Sequence, residues 1–212
     1  TNRIRRQEMA VRDRENQTGA LFQLTGELSK ARGIEEIIKV ASEDFRRHFG
    51  AETWFIIQDG KGNLPPEPSF REPGTREMPD HSVAEWVFVN RRKAGKYTTR
   101  MPDSLMTYHP LTGAMINAGV MAFTIDESKY RNKDAFWDTY CTQIANALER
   151  EFLGEMAVKA RILAESDRFY STLFNLISHE FRIPIAAIMG ASDTLMLSQT
   201  SESNREIGRA HV

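Results

Sequence analysis

The chain has 212 residues, of which 41% are hydrophobic and 27% charged, and its 28 Lys and Arg against 29 Asp and Glu give a formal net charge of −1. This near-neutral balance gives no overall attraction to nucleic acid or to an anionic membrane, and the apolar content excludes a wholly disordered chain. The single cysteine, Cys141, excludes an intramolecular disulfide and a cysteine-cluster metal site, and the five histidines have no paired spacing that suits a metal ion.

The first predicted element is a helix over residues 2–32. Leu21, Leu24 and Leu28 recur there at helical spacing, with Phe22 beside them. The arginines in its early half have two interpretations: a solvated helix face, or a connector that leaves a membrane segment on its cytoplasmic side. The charged N-terminus has no apolar signal region and no initiator methionine, so we expect a piece of a longer protein.

A second helix and a strand follow. Residues 34–49 carry one apolar stripe, and Gly50 is expected to end that helix. Residues 53–57 are predicted to form a buried strand, and residues 59–63 a turn. Residues 64–80 hold five of the eight prolines and are predicted to form a loop.

A short helix and two strands complete the predicted α/β region. The helix covers residues 81–91, with its apolar side formed by Val83, Trp86, Val87 and Val89. Residues 105–111 and 118–125 are predicted to pair as antiparallel strands joined through residues 112–114. Residues 104–125 carry no Asp, Glu, Lys or Arg, but His, Pro and two Gly within them argue against a membrane-spanning helix.

From about Lys133 the pattern is typical of one long helix. Its apolar seam consists of Ile144, Leu148, Phe152, Ile162, Phe169, Leu173 and Leu176. A helix this long cannot bury its stripe within a small domain, so we predict a parallel coiled coil and a homodimer. The alternative is a long helix that folds back on the domain.

One stretch within this helix, residues 174–190, carries a reactive pair. His179 precedes Glu180, the apolar residues lie on another side of the helix, and Pro184 is expected to bend it. An exposed neutral imidazole is a nucleophile toward phosphoryl groups, and a neighbouring carboxylate can orient it and stabilise the developing imidazolium. The alternative is a surface His-Glu pair with no catalytic role.

The stretch resembles the phosphoacceptor segment of sensor histidine kinases, whose usual form is Ser-His-Glu/Asp-Leu-Arg-Thr-Pro-Leu. Its continuation over residues 186–190 is similar to the same helix in kinases of the KdpD type. Residues Ser178, His179, Glu180, Arg182 and Pro184 match in place. The resemblance implies that His179 is the phosphoacceptor, that Glu180 is the acid/base that activates it, and that phosphate passes to a response regulator. It also implies ATP as phosphoryl donor, bound by a domain absent from this chain.

One position departs from the family. Ile183 stands where the family has Thr or Asn, a side chain that positions water for dephosphorylation of the response regulator. Because isoleucine has no donor or acceptor, the sequence predicts a kinase-biased variant with impaired phosphatase activity.

A second resemblance, over roughly residues 18–151, is to the GAF sensor domain of the same kinases. It rests on the order of five short runs, residues 28–33, 83–88, 110–113, 119–122 and 143–150. The implied fold is α+β, a GAF-type antiparallel sheet flanked by helices, followed by a long dimerising helix of a partial HisKA bundle.

The resemblance also implies a domain plan and a location. The plan has a connector helix (1–16), a GAF domain (17–150), a helical linker (151–166) and a partial HisKA segment (167–212). The chain would be the cytoplasmic portion of an inner-membrane protein, reaching the membrane only through upstream segments. No glycine-rich phosphate loop is present, so the chain alone is not expected to autophosphorylate.

The ligand of the GAF region is not identified by the sequence. Asn132, Lys133, Phe136 and Asp138 match a cyclic-nucleotide motif of some GAF domains too poorly to support it. Cys141 is expected to be a buried structural thiol rather than a bilin anchor. Four residues are expected either to line a ligand pocket or to belong to the core with their polar groups hydrogen-bonded: Trp54, Trp86, Tyr108 and His109. The rival function is a non-catalytic ligand-binding or dimerisation GAF module.

Overall fold

Five helices and five strands follow one another in a computed structural model that describes residues 2–71 and 77–209. They are α1 (Asn2–Lys30), α2 (Ile34–Phe49), β1 (Thr53–Ile57), β2 (Phe70–Arg71), α3 (His81–Asn90), β3 (Ala94–Gly95), β4 (Thr107–Thr112), β5 (Asn117–Phe123), α4 (Glu127–Tyr130) and α5 (Asp134–Arg209). The chain divides into two units, Thr1–Glu155 and Met156–Val212. Residue 1 and residues 210–212, which close the predicted domain plan at its two ends, lie outside the described residues.

The strands of unit 1 form one antiparallel sheet in the order β2-β1-β5-β4-β3. Met121 in the central strand β5 lies opposite Phe55 of β1 and His109 of β4. The predicted antiparallel pairing of β4 with β5 is confirmed, although β4 begins two residues later than expected and the connection covers residues 113–116.

Each face of the sheet is covered by different helices, because successive side chains of a strand point to opposite faces. Phe55 and Ile57 of β1 belong to the core shared with α1, α2 and the start of α5. Trp54 and Ile56, the alternate residues, belong to a second core under α3. All five residues of β1 are buried, as predicted.

The helices of unit 1 follow the predicted pattern with local differences. Helix α2 ends at Gly50, whose left-handed conformation (φ 60°) closes the last turn, as expected. In α3 the buried residues include Ala84, whereas Val89 is 71% exposed, so its predicted place on the apolar side is wrong. On α1, Leu24 is buried and Phe22 is exposed.

The two stretches predicted as turn and loop differ in outcome. The turn at 59–63 is confirmed: the Asp59 carboxylate accepts hydrogen bonds from the backbone N–H groups of Lys61 and Asn63, at 2.8 and 3.1 Å. The loop prediction for 64–80, of which residues 72–76 lie outside the described residues, missed β2, which pairs with β1. A strand of two residues has no periodicity that sequence could reveal.

The long helix α5 is confirmed, and it continues through Pro184. Its predicted single seam is corrected. Ile144, Leu148 and Phe152 are buried in the core of unit 1, because this part of the helix covers the sheet. The later seam residues, in unit 2, are exposed: Ile162, Phe169, Leu173 and Leu176. Among the described residues no helix is both long and apolar enough to cross a membrane.

Candidate functional site

The predicted phosphoacceptor segment, residues 174–190, lies on α5 and is exposed throughout. His179 and Glu180 are sequence neighbours, and within the described part of the chain neither side chain makes a hydrogen bond or an ion pair. Their side chains are therefore open to an incoming group. Ile183, one turn on, is 65% exposed.

Helix geometry separates His179 from Leu173 and Ile177 of this helix. With 3.6 residues per turn, Arg168, Thr172 and Asn175 precede His179 by three, two and one turns and lie on its side of the helix. Leu173 and Ile177 lie on another side. A partner packed against the side of Leu173 and Ile177 would leave His179 exposed.

Sequence reasoning missed a buried carboxylate that ties α5 to the β4–β5 connection. Glu149 is only 6% exposed, and its two oxygens accept hydrogen bonds from three consecutive backbone N–H groups, those of Ala114 (2.8 Å), Met115 (2.5 Å) and Ile116 (2.7 Å). Burial alone would raise the pKa of Glu149, but the three donors outweigh it and hold the pKa below its ordinary value. The carboxylate is therefore anchored in its charged form.

The two following residues tie α5 to the junction of α1 and α2. Arg150 donates to the backbone carbonyls of Leu28 and Ala31, at 3.2 and 3.1 Å. The Glu151 carboxylate accepts from the Gly33 N–H at 2.9 Å. The last part of α5 within unit 1 is thus fixed by three successive polar side chains to two separate loops.

Unit 1 also contains a cavity of about 570 Å³ at the β3 edge of the sheet. It is lined by residues of β4 and α5 and by the basic run that follows α3, residues 91–93, whose two arginines are exposed and therefore lie at its rim. Lys93 forms an ion pair with Asp134 and lies 3.6 Å from Asp138 Oδ1. These contacts join the basic run to the first turns of α5.

His109 is the buried polar residue of this cavity. Its Nε2 is 3.0 Å from the Tyr130 hydroxyl, and its Nδ1 is 3.9 Å from Asp138 Oδ1. Burial, with a smaller contribution from nearby Lys93, lowers the pKa of His109 to about 3, although Asp134 acts in the opposite direction. The ring is therefore neutral near pH 7.

This neutral histidine predicts a pH-dependent stability. The unfolded chain takes up a proton below about pH 6.5, whereas folded His109 does not until about pH 3, so stability is lost as pH falls from 6.5. At pH 5 the loss from this residue is about 2 kcal/mol. Urea unfolding at pH 5 and pH 7 checks it: the stability difference between wild type and His109→Asn should shrink by about that amount. Parallel pH profiles for the two proteins would contradict it.

The other residues weighed as pocket or core residues lie mainly in the core. Trp54 and Tyr108 are buried under α3, and the Tyr108 hydroxyl accepts the Asp80 N–H at 2.8 Å. Trp86 is only partly buried. Cys141 is buried, as expected, and burial raises the pKa of its thiol. Cys141 also borders the cavity. Within the described residues, no group of His, Cys, Asp and Glu could hold a metal ion.

No protein-family model matches the sequence. Sensor protein KdpD of Clostridium acetobutylicum is 27% identical over 203 residues, which are 92% of this chain and 23% of that protein. Sensor protein KdpD of Escherichia coli K12 is 24% identical over 204 residues, which are 95% of this chain and 22% of that protein. The chain thus spans less than a quarter of the length of these relatives.

The fold of this chain is compared with that of one solved structure. The crystal structure of the native GAF domain of the potassium sensor histidine kinase KdpD from E. coli superposes with a TM-score of 0.57 at 21% identity. The match covers 66% of this chain and 97% of that domain. The chain is therefore homologous to KdpD sensor proteins over most of its length and has the α+β fold of their GAF domain, followed by a long C-terminal helix.

Proposed function

We propose that this chain is the sensory and phosphoacceptor part of a two-component sensor histidine kinase. The observation that carries the proposal is the exposed Ser178-His179-Glu180 sequence on α5, in a chain homologous to KdpD sensor proteins. The GAF domain, residues 17–150, would signal through the linker 151–166 to the partial HisKA segment 167–212. The protein would lie on the cytoplasmic side of an inner membrane, with its membrane segments outside these residues.

The chemistry proposed for His179 is a single phosphoryl transfer. The Nε2 lone pair attacks the γ-phosphorus of ATP in line, the bond from phosphorus to the bridging oxygen breaks, and ADP leaves. Glu180 accepts a hydrogen bond from Nδ1–H and stabilises the imidazolium as it forms. Phosphate then passes to an aspartate of a response regulator. ATP would be held by a domain outside these 212 residues.

The test is transfer from labelled ATP in the full-length protein. We expect label on the protein that is stable in alkali and lost in acid, as a phosphoramidate requires. The 212-residue chain alone should remain unlabelled. Acid-stable label would contradict a phosphohistidine. No label on a folded protein that binds ATP would favour the rival function, a ligand-binding or dimerisation GAF module.

The apolar side of α5 is proposed to form a parallel homodimer. A parallel arrangement brings each residue of the seam close to its own copy. Leu173→Cys should therefore give a disulfide-linked dimer under mild oxidation, because the natural Cys141 is buried and disulfides need Cα atoms within about 7 Å. Thr172→Cys, on the side of His179, is the matched control and should crosslink much less. Equal crosslinking of the two variants would contradict a parallel seam.

Ile183 is proposed to bias the protein toward kinase activity. Its aliphatic side chain is exposed one turn after His179 and offers no group to hold water. Ile183→Thr should restore dephosphorylation of the phosphorylated response regulator while leaving phosphoryl transfer to His179 intact. The measurement is the decay of labelled regulator with each protein. Equal decay rates with the two proteins would contradict the proposed role of Ile183.

A further inference from the structure

The cavity at the β3 edge of unit 1 is lined by charged and polar side chains of the kind that bind small ligands. Strand β3 pairs with Tyr108 and Thr107, so in the part of the chain that the structure describes β4 has no strand along this side from His109 to Thr112. Pro110, which lacks an N–H, lies in that open stretch. The space beside it is bounded by the basic run and by α5 rather than by another strand.

The charges around the cavity do not balance. Arg91, Arg92 and Lys93 face Asp134 and Asp138. Lys93 is engaged by both carboxylates, whereas neither arginine side chain makes an ion pair or a hydrogen bond within residues 2–71 and 77–209. Two guanidinium groups, each a planar set of donors that matches phosphate and carboxylate oxygens, are therefore available at the rim.

The interior supplies another polar group. His109 is 1% exposed and lines the cavity, and its Nδ1 makes no hydrogen bond within the described residues. Asp138 Oδ1, 3.9 Å away, favours the tautomer with its proton on Nδ1, which leaves Nε2 to accept from the Tyr130 hydroxyl. The buried ring then presents an unused N–H, a donor, to the cavity.

We propose that this cavity binds a small multivalent anion bearing phosphate or carboxylate groups, held by Arg91 and Arg92 at the rim and by His109 inside. A volume of about 570 Å³ suits a small metabolite. The two unpaired cations disfavour a cationic ligand, and the polar lining disfavours an apolar one. The bound anion would lie near Thr142 of α5, the helix that also carries His179.

Calorimetric titration of the 212-residue chain with two probes tests the proposal, pyrophosphate for the phosphate class and citrate for the carboxylate class. Sodium chloride holds the ionic strength constant. The pocket variant is Arg91→Asn with Arg92→Gln, and asparagine is chosen because Arg91 has a left-handed backbone (φ 52°). The control is Arg12→Gln with Arg14→Gln, which removes the same charge from exposed positions on α1.

We expect saturable binding of at least one probe, weakened about tenfold or more in the pocket variant and unchanged in the control, because charge-assisted hydrogen bonds are lost. The tighter probe identifies the anion class. Binding that survives the pocket variant, or no saturable binding of either probe, would overturn the proposal. Unfolding temperatures of both variants show that the fold is kept. No phosphoryl transfer is measured, so this result and the test of His179 are independent.

Discussion

Replacing His179 with glutamine is expected to abolish the acid-labile label that the full-length protein takes from ATP. Glutamine keeps the approximate size of the side chain but has no nucleophilic nitrogen. The side chain is exposed and makes no hydrogen bond within the described residues, so the fold should not change. Replacing Glu180 with glutamine removes only the assisting carboxylate and should slow labelling by about 100-fold.

The control for this pair is His81→Gln. His81 begins α3 in unit 1 and has no proposed role in transfer, so this variant should label at the wild-type rate. Unchanged unfolding temperatures for all three variants would show that the losses are chemical. Full labelling of His179→Gln would refute the assignment of the phosphoacceptor.

Replacing Glu149 with alanine is expected to destabilise unit 1 by about 3 kcal/mol. The change leaves three backbone donors at Ala114, Met115 and Ile116 without their charged acceptor, and each such bond contributes about 1–3 kcal/mol before relaxation and hydration reduce the sum. Urea unfolding measures the effect. Glu155→Ala, an exposed residue later on the same helix, is the control and should change stability by less than about 0.5 kcal/mol.

A second substitution tests the geometry of the same contact. A Cβ at Gly113 would lie 2.2 Å from Glu149 Oε2, so Gly113→Ala must displace the carboxylate. Because both changes break one interaction, Gly113→Ala should cost much less in the Glu149→Ala background than in the wild type. Additive losses would show that the carboxylate does not act through this loop.

Local pattern was sufficient to predict most of the fold. The stripe of α2 and its end at Gly50, the buried strand β1 and the pairing of β4 with β5 all follow from hydrophobic periodicity and turn residues over short stretches. β2 and β3 have two residues each and carry no such signal. Periodicity predicts a single seam along α5, because it does not distinguish an apolar stripe that covers a sheet from one that is exposed.

The candidate sites also differ in whether the sequence alone could predict them. His179 and Glu180 stand next to each other in a recognisable segment, so a resemblance suffices to single them out. The contact of Glu149 with Ala114 joins residues 35 positions apart, and that of Lys93 with Asp134 joins residues 41 apart. Nothing local in the sequence marks either pair, since the sheet and α5 bring them together. The sequence leaves His109 open between a core residue and a pocket residue. In the structure it is 1% exposed and also lines the cavity.

The most direct test of the phosphoacceptor assignment is to locate the phosphate itself. Full-length protein labelled by ATP is digested with trypsin at neutral to alkaline pH, and the peptide of residues 169–182, bounded by Arg168 and Arg182, is fragmented in a mass spectrometer. We expect the phosphate on His179 and its loss from that peptide after acid treatment. Phosphate on Tyr170 or Ser178, or an unmodified peptide from a labelled protein, would contradict the account.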